Sequence, residues 1–391
     1  MSSSYEQIVI TIIPMVTGTL SIVASSTIIS KVLKSQSRLT TPYNRLLVGL
    51  CTFDIIASIC HAFSTLPIPR GSPDHWLALG DKATCSIQGT LMVFAQVGTP
   101  FYNVGLCIYF LCVVKYNMTD ERFRKLWEAF LHAFPILYGL ITSIGTFIAG
   151  YINPSFAMCY IYSSTDDPKE IKNAQRLMWI INGVPVTLIF ILINAIMASI
   201  LYTVYRQERT MERYRFQVTS GIVQSTRNSI RRSSEISSRS RRRLDAVKSR
   251  AICFFAAYMI TFLPTLVFQS LASRDEEGGF SNVPFAISIA ARTFLPLQGV
   301  FNLCAHLQPQ VKSIKSDNPR YWYFRALYVA LSKLDVDLDN RVAARGAGTR
   351  RRRASRESVI TTISPRTSSS STTTRSQIQS LISLRSPPSQ E

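Results

Sequence analysis

Residues 82–115 read KATCSIQGTLMVFAQVGTPFYNVGLCIYFLCVVK, with no acidic or basic side chain between Lys82 and Lys115. A helix needs about 20 apolar residues to cross a hydrocarbon core of about 30 Å, and this run exceeds that. Inside lipid every backbone polar group must be satisfied within its own segment, so the run is predicted to be a helix and not a strand. The alternative, a core helix of a soluble protein, calls for a shorter run with a polar face.

Six further runs of the same character lie on either side. The predicted spans are 8–32, 43–66, 84–114, 127–151, 176–204, 250–273 and 283–307. The expected fold class is therefore an all-α membrane protein, a seven-transmembrane helix bundle.

The basic residues orient it. The first connector carries Lys34 and Arg38, with Lys31 at its edge, and the third carries Lys115, Arg122, Arg124 and Lys125. The fifth, 206–250, has thirteen Lys/Arg against four acids, and the chain from 306 has fifteen against six. The even connectors are poor, offering Arg70 and Lys82, then Lys169, Lys172 and Arg176, then Arg274. By the positive-inside rule the odd connectors and the C-terminus are cytoplasmic and the N-terminus outside. The short N-terminal segment has no basic region or small-residue cleavage site, so no removable signal peptide is expected and the first span serves as the insertion signal. A plasma-membrane location is expected.

Most of the net charge of +20 belongs to the fifth connector and the tail. Attraction to an anionic inner leaflet accounts for it. Nucleic acid is not an expected partner, because no recognisable binding module surrounds the basic runs.

The chain is expected to hold a seven-helix domain over 1–310, with a long basic cytoplasmic loop at 206–249, a juxtamembrane segment at 311–339 and a disordered Ser/Thr/Arg-rich tail at 340–391. The ends of the loop continue the flanking helices, and its centre is too polar to pack. The stretch Pro319–Leu327 is aromatic and basic, which suits a short interfacial eighth helix; an irregular start to the tail is the alternative. No internal repeat of the kind found in many transporters is evident.

Six of the eight cysteines, Cys51, Cys60, Cys107, Cys112, Cys253 and Cys304, fall inside spans, where a free thiol acts as a small hydrophobe. Cys85 and Cys159 fall on the outer, oxidising side, where a disulfide persists. A bridge between them would tether the second outer loop over the mouth of the bundle; two unpaired thiols are the alternative.

Seven spans and this cysteine pair resemble the G-protein-coupled receptors. Gly80-Asp81-Lys82-Ala83-Thr84-Cys85-Ser86-Ile87-Gln88-Gly89 resembles the start of the third span in the cyclic-AMP-receptor-like receptors of microbial eukaryotes. Trp76 is similar to a tryptophan that recurs in the preceding loop. The second span, Asn44-Arg45-Leu46-Leu47-Val48-Gly49-Leu50 followed by Asp54, resembles the polar-centred second span of the wider rhodopsin-like and secretin-like superfamily. The seventh, Leu295-Pro296-Leu297-Gln298-Gly299-Val300-Phe301-Asn302, is close to the cyclic-AMP-receptor-like pattern. The resemblance covers about 1–330. The chain departs from rhodopsin-like receptors in Val114-Lys115-Tyr116, in a seventh span without Asn-Pro-x-x-Tyr, and in Phe262-Leu263-Pro264 in the sixth.

Candidate functional residues follow. Asp54 is a carboxyl near the middle of a span, an expensive position that usually faces the bundle interior. With Asn302 it is a candidate for a water, sodium or proton network; a protonated Asp satisfied by one interhelical hydrogen bond is the alternative. Arg292 lies roughly 13 Å below the outer end of its span at about 1.5 Å per residue. It could fix an anionic ligand group, pair with an internal acid or snorkel outward. Arg292, Gln88 and Trp76 are the ligand-pocket candidates. Pro185, Pro264 and Pro296 interrupt late spans and can act as pivots or as static packing. Pro264, with Phe262 and Pro296, joins Asp54 and Asn302 as the candidate activation network.

Lys115 and Tyr116 are candidates for the face that meets a heterotrimeric G protein, and also suit simple inner-leaflet anchoring. Ser234 and Ser355 follow paired arginines and are candidate phosphorylation sites for a kinase, with an arrestin-like partner at the tail. Asn117-Met118-Thr119 has glycosylation spacing but falls on the cytoplasmic side and is expected to be unmodified.

The expected function is a receptor for an extracellular small molecule or peptide, with no cofactor. The rival is an ion channel or secondary transporter using Asp54. No lysine occurs between Lys248 and Lys312, which excludes a retinal Schiff base in the seventh span. His61, His75, His132 and His306 are scattered, without metalloprotease spacing, so no enzyme is expected.

Overall fold

The computed structural model of the chain describes residues 4–72, 75–155, 157–165, 167–220, 227–272 and 284–332. The tail at 340–391, with Ser355, lies outside them. So does the side chain of Ser234.

The bundle begins with α1 (Ser4–Lys34), α2 (Pro42–Phe63) and α3 (Lys82–Val114). Helix α4 runs through Asp120–Phe123, a wide π-turn at Arg124–Glu128, and Ala129–Ile148. Helix α5 runs through Pro168–Met178, a second π-turn at Trp179–Gly183, and Val184–Ser220. Helix α6 spans Arg227–Ala272. Helices α7 (Phe285–Phe294), α8 (Gln298–Asp317) and α9 (Tyr323–Ser332) complete it.

Helices α1 to α6 are each long and apolar enough to cross a membrane, and the protein is an integral membrane protein. The local chemistry explains their ends. Pro42 opens α2 behind Thr41, whose hydroxyl accepts from Asn44 N at 3.3 Å. Asp81 and Thr84 form a reciprocal capping box at the start of α3. Threonines in the apolar stretches turn back onto the preceding turn, as Thr99 does to Ala95 O at 2.9 Å. Such a threonine hydroxyl is thereby satisfied within its own helix.

The span expected at 283–307 is not one helix. It stops at Phe294 and restarts at Gln298, so α7 and α8 divide it. Pro296 has no amide hydrogen to continue the ladder. The chain turns instead, with Gln298 N donating to Leu295 O at 3.2 Å and Val300 N to Leu297 O at 3.0 Å. Gly299 N is taken up by Ser21 Oγ of α1 at 3.0 Å. A Cβ at Gly299 would lie 2.3 Å from Ser25 Oγ, so only glycine permits this approach.

Helix α3 is the centre of the bundle and α4 its rim: 78% of the apolar window of α3 is buried, against 28% for α4. Helix α3 touches α2, α4, α5 and α6, while α1 packs on α2 and α8 and α6 packs on α7 and α8. Leu46, Leu47, Leu50, Tyr102, Phe110 and Met197 are fully buried in the core. Ile141, Ile148 and Leu188 point outward, as lipid-facing side chains do.

Helix α2 is also tied to α4 by charge. Arg45 grips Glu128 with Nε on Oε1 and Nη2 on Oε2, the latter at 2.7 Å. Two bonds from one planar fork fix the geometry of both helices.

Two features of the connectors matter for the site. A hairpin of β1 (Ile152–Ser155) and β2 (Met158–Ile161) pairs Ile152 with Ile161 and Pro154 with Cys159. At the opposite end, α9 begins at Tyr323, four residues later than the aromatic stretch that announces it. Ala326 and Ala330 pack on Leu307 and Val311 of α8, while Trp322, Phe324 and Tyr328 stay exposed. Lys31 of α1 donates to Ala330 O at 2.6 Å, supplying positive charge at the negative end of α9.

The basic connector 206–249 is helical in backbone up to Ser220 and again from Arg227. It is thus largely an extension of α5 and α6, with 221–226 outside the described residues.

Candidate functional site

Asp54 on α2 is 3% exposed, and Asn302 on α8 is 2% exposed. Asn302 Nδ2 donates to Asp54 Oδ2 at 2.8 Å. This one bond joins α2 to the seventh helix one turn beyond its break. Burying a carboxyl and an amide costs heavily unless they meet partners, and here each supplies the other's.

A small cavity opens beside the pair. It is lined by Asp54, Ser58 and His61 of α2, Gln96 and Thr99 of α3, Phe262 of α6, and Leu295, Pro296 and Gln298 at the break. About 20 Å³ is open to the centre of a water molecule, enough for a single water. His61 Nδ1 and Gln298 Nε2 are buried and have no hydrogen-bond partner among the described residues. A polar space of this size with such groups around it fits a water molecule and is too small for an organic ligand.

Phe262 walls the cavity from the α6 side and stacks on Tyr258 at 4.4 Å between ring centroids. Of the residues expected to form an activation network, Asp54, Phe262 and Pro296 line this cavity and Asn302 bonds to it. Pro264 lies further along α6 and does not line it. Arg292 sits in the last turn of α7, and its charge reaches His61.

Gln88 belongs to a different layer, under the hairpin, and Trp76 to the loop between α2 and α3. Cys85 and Cys159 are joined, with Cα atoms 5.3 Å apart, which fastens β2 to the start of α3. Gln88 sits directly beneath. Its Nε2 donates to Cys60 O at 2.9 Å and Ser64 O at 2.8 Å, and its Oε1 accepts from Cys159 N at 3.1 Å. The whole amide is thus spent on holding α2, α3 and β2 together. Trp76 is partly exposed, and its carbonyl accepts from Thr65 Oγ1 at 2.7 Å. The neighbouring His75 Nε2 donates to Ser155 O at 2.8 Å, linking that loop to the hairpin. Outside the apolar spans, hydrogen bonds from Thr84 hold the Asp81 carboxyl below its ordinary range. Burial pushes the Tyr160 hydroxyl of β2 up.

At the opposite end, Lys115 caps α3 and its Nζ donates to Ser199 Oγ of α5 at 2.9 Å. Tyr116 is exposed. Sequence reasoning missed His61, Gln298 and Gln96 as cavity groups. Buried polar residues at two-turn spacing on α2 were the available signal, since Asp54 and His61 share a face.

No protein-family model and no curated protein matches this sequence. Among solved structures, the crystal structure of squid rhodopsin is similar at 15% sequence identity and a TM-score of 0.54, over 79% of this chain and 84% of that chain. The likeness carries the fold and does not reach the cyclic-AMP-receptor-like branch. The chain shares the helical-bundle fold of that rhodopsin.

Proposed function

We propose that the protein is a G-protein-coupled receptor for an extracellular small molecule or short peptide. The observation that carries this is the Asp54–Asn302 bond beside a water-sized polar cavity at a broken seventh helix, inside a rhodopsin-like fold. A packed structural core has no need of such a joint. A two-state transmitter does, because it must offer an element whose equilibrium a ligand can bias.

The hairpin end faces outside in this proposal, with the N-terminus there and the C-terminus in the cytoplasm, as the basic connectors require. Ligand enters from the hairpin end and displaces α7, where Arg292 is the charged contact. Movement of α7 is passed through the break at Pro296 to Asn302 and Phe262. The opposite end, with Lys115 and Tyr116, then meets a heterotrimeric G protein at the plasma membrane. Helix α9 lies in the inner interface, its exposed aromatic residues among the headgroups. Ser234 and Ser355 are the sites at which a kinase recruits an arrestin-like partner. The motifs at 80–89 and 295–302 support a reading nearer the cyclic-AMP-receptor-like branch than the rhodopsin-like one.

The test is energy transfer between labelled G-protein subunits in cells, over a panel of subtypes and candidate ligands, with and without this chain. Ligand-dependent loss of transfer that Asp54→Asn alters supports the proposal. A proton or sodium flux that vanishes in Asp54→Asn, with no effect on any G protein, favours transport instead.

A further inference from the structure

Tyr43 lies in the first turn of α2, at the end of the bundle away from the hairpin, and it is buried. Its hydroxyl meets His306 Nδ1 of α8 at 3.3 Å, and the two rings are near-parallel, with centroids 6.4 Å apart. Phe110 of α3 packs on it at 5.9 Å. Helix α6 completes the group: the guanidinium carbon of Arg250 stands 5.3 Å from the Tyr43 ring centroid. One phenol thus joins four helices.

Two more contacts hold the same stretch of α6. Ser249 Oγ donates to Gln308 Oε1 of α8 at 2.7 Å. One turn on, Phe254 meets Phe110 at 6.2 Å. The Arg250 Nε has no hydrogen-bond acceptor among the described residues, so the ring face is the compensation the fold offers this charge. Helix α3 contains no Asp or Glu that could hold Arg250, and the Lys115 side chain turns to Ser199 of α5 instead.

We infer that Arg250 and Tyr43, seconded by Ser249 and Gln308, form a latch that keeps this end of α6 closed against α2 and α8. Any outward swing of α6 must draw Arg250 off the Tyr43 ring and break the Ser249–Gln308 bond. The latch stands on the contacts alone; its consequence for signalling rests on the receptor proposal. Loss of the cation–π contact shifts the open-to-closed ratio by about three- to thirty-fold, the span of such contacts from exposed to desolvated settings.

The test uses the full chain in cells, with one fluorescent protein inserted in the 206–249 connector and another after residue 391. Energy transfer between them reports the position of α6, and G-protein activation is read in parallel. Arg250→Gln and Tyr43→Leu are expected to change the transfer toward an open state at normal surface level. Tyr43→Phe keeps the ring and loses only the hydroxyl, and Arg250→Lys keeps the cation; both are expected to stay nearer the native value. A change in transfer without any G-protein response supports the latch while counting against the receptor proposal. Native transfer in Arg250→Gln and Tyr43→Leu, with both at the surface, overturns the latch. An equal change in Tyr43→Phe and Tyr43→Leu overturns the role of the ring.

Discussion

Replacing Gln88 by alanine removes three hydrogen bonds at 2.9, 2.8 and 3.1 Å. Each is worth about 1 kcal/mol net, and an orphaned buried donor costs a further 1–3 kcal/mol or so. The orphan is Cys159 N–H, on a residue that is 0% exposed. The expected destabilisation is about 4–6 kcal/mol. At about 2–4 °C per kcal/mol for chains of 150–250 residues, the melting temperature falls by roughly 8–24 °C. The protein carries its own reporters: Cys51, Cys60, Cys107 and Cys112 are free and buried, so a thiol-reactive fluorophore lights up on unfolding. Gln88→Glu keeps the acceptor for Cys159 N–H and loses the donors, and is expected between the two. A Gln88→Ala protein melting within about 2 °C of the native chain, with its ligand response abolished, would refute the clamp and return Gln88 to the ligand pocket.

Four further outcomes are expected. Gly98→Ala places a Cβ 2.1 Å from the Phe53 ring and is expected to cost about 1–3 kcal/mol by overpacking. Gly145→Ala, whose Cβ meets nothing within 4 Å, is expected to be neutral or better in the same melting assay. Asp81 has a folded-state pKa depressed by the Thr84 hydrogen bonds, so its contribution is present above the unfolded value and lost as the pH falls through the folded one. Asp81→Ala is expected to melt below the native chain at neutral pH, with the gap closing below about pH 4. Lys31→Met removes the donor to Ala330 O, and amide exchange across Tyr323–Ser332 is expected to quicken about five-fold or more.

The apolar spans were legible because lipid imposes a length and a composition that hydropathy reads directly. The span predicted at 84–114 is α3 to within two residues of its start. Helix α5 starts earlier than the predicted 176 because Asp167 and Pro168 cap a polar, amphipathic turn that hydropathy does not register. The break in the seventh helix is the reverse case. Its residues are apolar throughout, so composition runs on across Pro296 while the hydrogen-bond ladder stops. The hairpin at 152–161 left no signal, since its strands are four residues each and the first contains a proline. Asp54 and Asn302 could be singled out as polar residues in apolar runs. The grip of Arg45 on Glu128, and the approach of Arg250 to Tyr43, could not. These pairs are distant in sequence, and each partner taken alone reads as an ordinary residue at a membrane boundary.

A receptor of this fold transmits its signal to a G protein. Nucleotide exchange on purified heterotrimers, driven by the full chain in nanodiscs, tests it most directly. Exchange above empty nanodiscs is expected for at least one subtype when a small molecule or peptide is bound, and altered exchange in Asp54→Asn and Asn302→Ala. Exchange no faster than with empty nanodiscs for every subtype, from a chain that melts normally and binds that ligand, would contradict it.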